Sequence, residues 1–315
     1  MTIGFGFSLT GRGALADRDA ITAVARRADE LGYDSIWVTD RLLIPTASTS
    51  AYPYSPTGAF PLGPDEAWLE PLTTVMYLLT TTQRIAVGTS VLVIPYRNPV
   101  HTAKALATAD YLSGGRVILG AGIGWWREEF EGLGVPFAER AARTVEYLKI
   151  MKVIWTRPRV AFEGRFARIA EAGGVRPRPA RPGGIPIWIG GHSDAALRRV
   201  VEVADGWHPL GLRPPVALHP PEMAARVKRL HELARAAHRD PATITVSFKG
   251  PLSFADAPGA NRAPLTGSAA QIVEDLRAYV AAGVQHFVLD FSVSTVPQMV
   301  SVLERFAGEV RPQVA

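Results

Sequence analysis

Large apolar and tiny residues alternate over Ile3-Gly4-Phe5-Gly6-Phe7-Ser8, the period of a strand, and one face of that strand carries almost no side chain. Ile21, Val24, Ala28 and Leu31 then share one helical face, predicting a helix over 17–31 that Gly32 ends. A second strand is expected at 34–39. Residues 41–68 show no period and are rich in Pro, Ser, Thr and Gly. A loop of that length inside a compact domain is usually functional.

The alternation resumes with a helix over 71–82 and a strand over 85–94. A helix over 100–112 is stopped by Ser113-Gly114-Gly115, and a strand over 117–121 runs into Gly122-Ile123-Gly124. Residues 125–155 read as a helix broken near 132–136. Residues 160–184 predict an excursion, a short hairpin over 162–166 followed by a Pro/Arg-rich loop. Strands at 187–189, 206–209, 244–248 and 286–290 then alternate with helices at 194–203, 221–237, 269–281 and 297–306. Consecutive parallel strands joined by right-handed crossovers close most naturally into a barrel. The expected fold is α/β, a single (β/α)8 TIM-type barrel over 1–315. A lid-like insertion at 41–68 follows strand 2, and the excursion precedes strand 5. An open doubly wound sheet would need a Gly-rich turn after strand 1, and Gly11-Arg12-Gly13 is a poor match.

Composition narrows the function. Of 315 residues, 47% are hydrophobic and 20% charged, enough for a large core and too apolar for a disordered chain. The absence of cysteine excludes disulfides, thiolate metal sites and a cysteine nucleophile. A net charge of +5 suggests nucleic acid at first sight, but the basic residues are 29 Arg and 5 Lys scattered among acids, as in Arg127-Glu128-Glu129. That is a mixed surface, and no nucleic-acid partner is expected. The apolar runs are too short to span a membrane, and no basic stretch followed by an apolar run opens the chain, so a cytoplasmic protein with no membrane partner is expected. His-x-Glu-x-His and Gly-x-Ser-x-Gly patterns are missing, so neither a metal site nor a serine hydrolase is expected.

In a barrel the chemistry sits at the C-terminal ends of the strands. Asp40 and Arg41 end strand 2, where the carboxylate pairs with Arg41 or a ligand, or caps the rim. Gly190-Gly191-His192 follows strand 5 and opens a helix, either an anion site or a tight turn with Ser193 or Asp194 as cap. The glycines of 120–124 suit a wall admitting a flat ring. Trp125, Trp126 and Trp207 either pack or wall an aromatic pocket. His192 and His208 are the histidines at strand ends.

Together these stretches resemble a known family. They include Ala28-Asp29-Glu30-Leu31-Gly32-Tyr33-Asp34, Gly88-Thr89-Ser90-Val91-Leu92, Leu112-Ser113-Gly114-Gly115-Arg116, Pro186-Ile187-Trp188-Ile189-Gly190-Gly191 and Ala204-Asp205-Gly206-Trp207. The chain is similar over its whole length to the bacterial luciferase-like oxidoreductases, nearer the coenzyme F420-dependent branch. The resemblance implies a ring bound near the strand C-termini and a non-proline cis peptide after strand 3, at Ser90-Val91. It also implies a phosphate site at Gly190, Gly191 and His192, with Asp40 as the acid after strand 2; Gly122, Gly124 and Trp125, read above as a wall for a flat ring, would then bind the cofactor. Hydride transfer between a deazaflavin and a small organic substrate follows, with Arg41 as the candidate for positioning an anionic substrate. The deazaflavin-dependent sugar-phosphate dehydrogenases carry a catalytic His where this chain has Arg41 and a Glu where it has Trp125, so their acid–base pair is not inherited. Two alternatives stay open: an FMN-dependent monooxygenase of the same fold, and a non-catalytic flavin-binding barrel. The family also leads one to expect a homodimer.

Overall fold

The computed structural model describes residues 2–255 and 262–314, so the two ends of the 1–315 span and residues 256–261 lie outside the described residues. Eight strands carry the fold: β1 (Gly4–Ser8), β2 (Ser35–Val38), β3 (Ala86–Thr89), β4 (Val117–Gly122), β5 (Ile187–Ile189), β6 (Gly206–Trp207), β7 (Thr245–Phe254) and β8 (His286–Phe291). Each pairs in parallel with its chain neighbours, β8 pairs back to β1, and the sheet closes. The helices that follow them are α1 (Arg18–Glu30), α2 (Pro71–Thr81), α3 (Pro99–Ser113), α4 (Arg140–Thr156), α5 (Asp194–Val203), α6 (Pro220–Ala236), α7 (Ala269–Ala281) and α8 (Val296–Arg305). The chain is a (β/α)8 barrel. Local chemistry starts the helices: Asp17 accepts the Asp19 and Ala20 amides, Asn98 those of Val100 and His101, and Ser268 with Gln271 forms a capping box.

The small face of β1 now has a cause. A Cβ at Gly4 would lie 2.2 Å from the His286 ring, one at Gly6 2.1 Å from Ser35 Oγ, and one at Gly88 2.6 Å from the Trp37 ring. The glycines leave the interior to a few large rings. Trp37 stacks on Trp188 with ring centroids 5.1 Å apart, and His286 meets Trp188 edge-on at 5.2 Å. Ile118 and Val288 complete this inner cluster. The outward faces of the strands, Phe5, Phe7, Phe248, Phe287 and Leu289 among them, pack against the helices in the larger core.

Two strand boundaries at the mouth differ from the sequence expectation. The strand expected over 85–94 ends at Thr89. A cis Ser90–Val91 peptide follows, then a two-residue strand Leu92–Val93 paired with β4, and a 3-10 turn Ile94–Tyr96. Pro95 has no amide to continue the ladder. The break expected near 132–136 is present: residues 125–155 divide into Arg127–Gly132 and α4, because Gly134 sits at φ +68° and Pro136 follows. β7 runs on to Phe254, past the expected end at Phe248, since Lys249 and Gly250 still pair with β8. Residues 159–173 form an antiparallel hairpin, Arg159–Glu163 with Arg168–Gly173, outside the barrel.

Candidate active site

A cavity of about 990 Å³ opens at the C-terminal ends of the strands. It is lined by Asp40, Arg41, Ser90, Val91, Gly122, Gly124, Trp125, Gly190 and Gly191, so nine of the ten residues singled out from the sequence meet here. His192 does not line it; its Nε2 lies 2.5 Å from Leu210 O. That size matches a site for an organic ligand.

Asp40 does not pair with Arg41. Its carboxylate takes both terminal nitrogens of Arg97, at 2.7 and 2.9 Å, and the Val93 amide at 2.8 Å. A fully buried charge needs such partners, and these clamp Leu92–Val93 to the rim. Arg41 instead donates to the buried Glu129 at 3.0 Å, and its guanidinium lies 5.1 to 5.3 Å from the ring centres of Trp125, Trp126 and Phe60. Trp125 and Trp126 stack at 4.8 Å. Tyr52 and Phe60 pack on Trp125, so residues 41–68 bring an aromatic cover to the mouth. The segment is tied down by Glu128, which accepts from the Thr49 amide and the Ser50 hydroxyl. Burial alone would raise that carboxyl, but these hydrogen bonds outweigh it and hold it at about 2.

The glycines of 122–124 give room to protein atoms. A Cβ at Gly122 would lie 2.3 Å from Val91 Cγ2, and one at Gly124 2.7 Å from both Phe130 and Val93. Trp207 is wholly buried, its Nε1 donating to Gly191 O at 2.8 Å, so it holds the turn after β5 from behind. Ser193 is the cap of α5, accepting the Ala196 amide.

Sequence reasoning missed Arg140, Arg199 and Lys249. The two arginines line the cavity together with Thr144, Ser193, Gly190 and Gly191. Their Nε atoms are buried without a hydrogen-bond partner among the described residues. Burial lowers the Arg199 guanidinium pKa, and the charge of Arg140 adds to it. A cation so placed favours an arriving anion. Nothing in the local pattern of either helix distinguishes these arginines from the many surface ones.

A hydrogen-bonded chain joins Lys249 to residues the sequence had marked, Ser90 and His208. Ser247 Oγ donates to Trp207 O at 3.2 Å, so it accepts from His208 Nδ1 at 2.6 Å. Burial pushes His208 down to about 3, so the ring is neutral and its Nε2 accepts from Ser90 Oγ at 2.9 Å. Ser90 Oγ in turn accepts from Lys249 Nζ at 3.2 Å. Lys249 Nζ is 3.6 Å from Asp290 Oδ1, and Arg213 donates to Asp290 Oδ2 at 3.0 Å. Alternation had a signal for Lys249: Ser247 and Lys249 are the polar positions of a strand whose Val246 and Phe248 face the helices. Ending that strand at Phe248 lost it.

A family model described as luciferase-like monooxygenase matches residues 3–264. The chain belongs to the luciferase-like monooxygenase family. It is thereby an enzyme of a family of oxidoreductases. An uncharacterized protein of Mycobacterium tuberculosis is 36% identical over 221 residues, covering 70% of this chain and 74% of that protein. The F420-dependent glucose-6-phosphate dehydrogenase of Intrasporangium calvum is 27% identical, covering 91% of this chain and 92% of that one. Two solved structures share the fold. An F420-dependent secondary alcohol dehydrogenase in complex with an F420-acetone adduct has a TM-score of 0.76 at 17% identity, with 100% of both chains covered. A riboflavin lyase with modified FMN has a TM-score of 0.76 at 14% identity, covering 99% of this chain and 91% of that one. Among the described residues no helix is long and apolar enough to cross a membrane, and no group of three or more His, Asp or Glu is placed to hold a metal.

Proposed function

We propose that this enzyme transfers a hydride between a deazaflavin, coenzyme F420, and a small organic substrate. The observation that carries the reading is that two kinds of group line one cavity. Arg140 and Arg199 bring buried guanidinium nitrogens without partners, and the glycine turn at 190–191 lines the same cavity. Ser90, Lys249 and Asp290 line it as well, with Tyr52, Phe60 and Trp125 as aromatic cover. A long cofactor with an anionic tail and a flat ring fits such a site. The F420-dependent relative that spans nine-tenths of the chain supports the choice of cofactor.

Arg140, Arg199, Gly190 and Gly191 would hold the phosphate, with His192 bracing the turn behind them. Ser90, Val91, Gly122, Gly124 and Trp125 would line the ring. Asp40 acts one layer out by fixing Leu92–Val93 through its amide contact. The deazaflavin, when bound, supplies the carbon that gives or takes the hydride. The protein orients the ring and excludes water beneath Tyr52 and Phe60, which makes residues 41–68 the lid of the single domain. Arg41, held by Glu129, shapes that lid and presents a desolvated cation beside the aromatic cluster. With Arg41 and Trp125 in place of an acid–base pair, sugar-phosphate oxidation is not part of this reading. The protein would work as a soluble cytoplasmic homodimer.

Titrating the protein with F420 and with FMN, by fluorescence, tests the reading, with oxygen consumption followed in parallel. Micromolar or tighter F420 binding without oxygen uptake is expected. Preferred FMN binding with oxygen uptake would overturn it in favour of a monooxygenase. Tight binding of either with no turnover on any substrate would point to a binding protein.

A further inference from the structure

Lys249 is the one lysine that lines the cavity. Its ammonium has three N–H groups. One is given to Ser90 Oγ at 3.2 Å and one faces Asp290 Oδ1 at 3.6 Å. The third has no acceptor among the described residues. Of the neighbours on this floor, Ser90, His208 and Asp290 are committed, and the Ser8 hydroxyl lies beside Asp290. Ser90 spends its own proton on His208, and that chain ends at the carbonyl of Trp207, so it positions Ser90 and relays nothing. Both Asp290 oxygens are taken, one by Arg213 and one by Lys249. Burial alone would raise the Asp290 carboxyl, but the charges of Lys249 and Arg213 outweigh it and hold it down. Tyr52, on the lid, is pushed up by burial. Lys249 is itself lowered, first by burial and against the pull of Asp290, with Arg213 and Arg12 adding to the fall.

We propose that Lys249 is the catalytic proton-transfer group of the substrate site, and that the substrate is an alcohol–carbonyl pair whose oxygen sits on Lys249 Nζ. The inference rests on the hydride-transfer reading above and names its substrate class. An ammonium offers donors only, so the substrate atom against it is an acceptor, as a carbonyl or hydroxyl oxygen is. In the reducing direction, the carbonyl carbon takes the hydride delivered by the reduced deazaflavin and its C=O π bond breaks. The oxygen takes a proton from Lys249 as an N–H bond breaks and an O–H bond forms. The neutral amine regains its proton from water once the product has left and the cavity is open to solvent. In the oxidising direction the neutral amine accepts the hydroxyl proton. Asp290 is a positioning residue, aiming the amine and setting how readily it loses its proton.

The test uses the full-length protein as wild type, Lys249→Met and Lys249→Arg. Arginine keeps the charge but does not give up a proton, so it separates charge from proton transfer. F420 affinity is read first by fluorescence. Single-turnover oxidation of bound reduced F420 is then followed with acetaldehyde, acetone, cyclohexanone, acetophenone and 4-nitrobenzaldehyde as probes. Independently of activity, the protonation of Lys249 is read by NMR of 13Cε-labelled lysine, resolved because the chain has 5 Lys. Expected is reduction of at least one probe, slowed at least 100-fold in both variants, with F420 still bound. The wild-type rate should fall with rising pH at the point where the Lys249 signal titrates. Rates in Lys249→Arg within threefold of wild type, or a rate profile that ignores the Lys249 titration, would overturn the proton-transfer role. No reduction of any probe by a wild type that binds F420 tightly would overturn the substrate class. A wild type that does not bind F420 would bring down the cofactor reading and this inference with it.

Discussion

Trp37 lies flat against His208, with ring centroids 4.7 Å apart and planes 17° from parallel. The stack covers one face of the imidazole at the floor of the cavity. A histidine at a strand end would ordinarily be a candidate acid or base. Here burial keeps it neutral, and its two nitrogens are fixed between Ser247 and Ser90. Its work is to turn the lone pair of Ser90 toward Lys249.

The buried histidines make the fold sensitive to acid. Burial pushes His286 down to about 4 and His208 down to about 3. In the unfolded chain both titrate near ~6.5. Between those values the unfolded state binds more protons, so stability is full above about 6.5 and is lost as pH falls toward the folded values. Each histidine adds a slope of up to about 1.4 kcal/mol per pH unit in that window. Urea unfolding at pH 7, 5.5 and 4.5 checks this, comparing wild type with His286→Gln. The variant should lose about 1 to 2 kcal/mol less across the range. Equal losses would mean that His286 charges freely inside the barrel.

Asp40 and Arg97 should behave as a buried pair. Removing one partner strands the other, at a cost of about 3 kcal/mol. Asp40→Ala is expected to lose about that much in guanidinium unfolding. Arg97 keeps a contact with Glu70 at 3.0 Å, which limits the damage. Asp40→Ala combined with Arg97→Met should recover part of the loss, because no buried guanidinium is then left without its carboxylate. A double variant weaker than the sum of the two single ones would show that the pair itself is not the source of the cost.

The glycine turn and the two arginines give a third test. Gly191 sits at φ +100°, a conformation that L side chains rarely adopt, and a Cβ there would lie 3.0 Å from Ala196. Gly191→Asp adds that strain, a side chain and a negative charge where Arg140 and Arg199 await an anion. F420 binding should weaken at least tenfold, about 1.4 kcal/mol, with the circular dichroism spectrum unchanged. Arg199→Met should weaken it similarly and flatten its dependence on salt. Unchanged affinity in folded Gly191→Asp protein would place the cofactor phosphate elsewhere.

The barrel was legible because its signals are local. Alternation in residues 3–8, helical spacing in 17–31 and the glycine stops at 32 and 114 are each contained in a few neighbouring residues. Eight repeats of strand and helix leave few closed arrangements. That argument also located the mouth, since every parallel strand ends there, and so it brought Ser90, Gly122 and Gly190 to one cavity. The small face of β1 was visible as well, but what fills the space beside it was not. Trp37 and His286 come from other strands, and only the register of β1 against β2 and β8 brings them over Gly6 and Gly4.

Partnership across the mouth was decided by the tertiary structure alone. Asp40 lies next to Arg41 in the chain yet pairs with Arg97, 57 residues away, because the turn after β3 carries Arg97 and the Val93 amide to its carboxylate. Ser90 meets His208 across 118 residues and Lys249 across 159, through the closure of eight strands into a ring. Short-range periodicity encodes which face of each element is buried. Which polar groups then share that face depends on strand register and barrel closure, and these are properties of the assembled sheet rather than of any one segment.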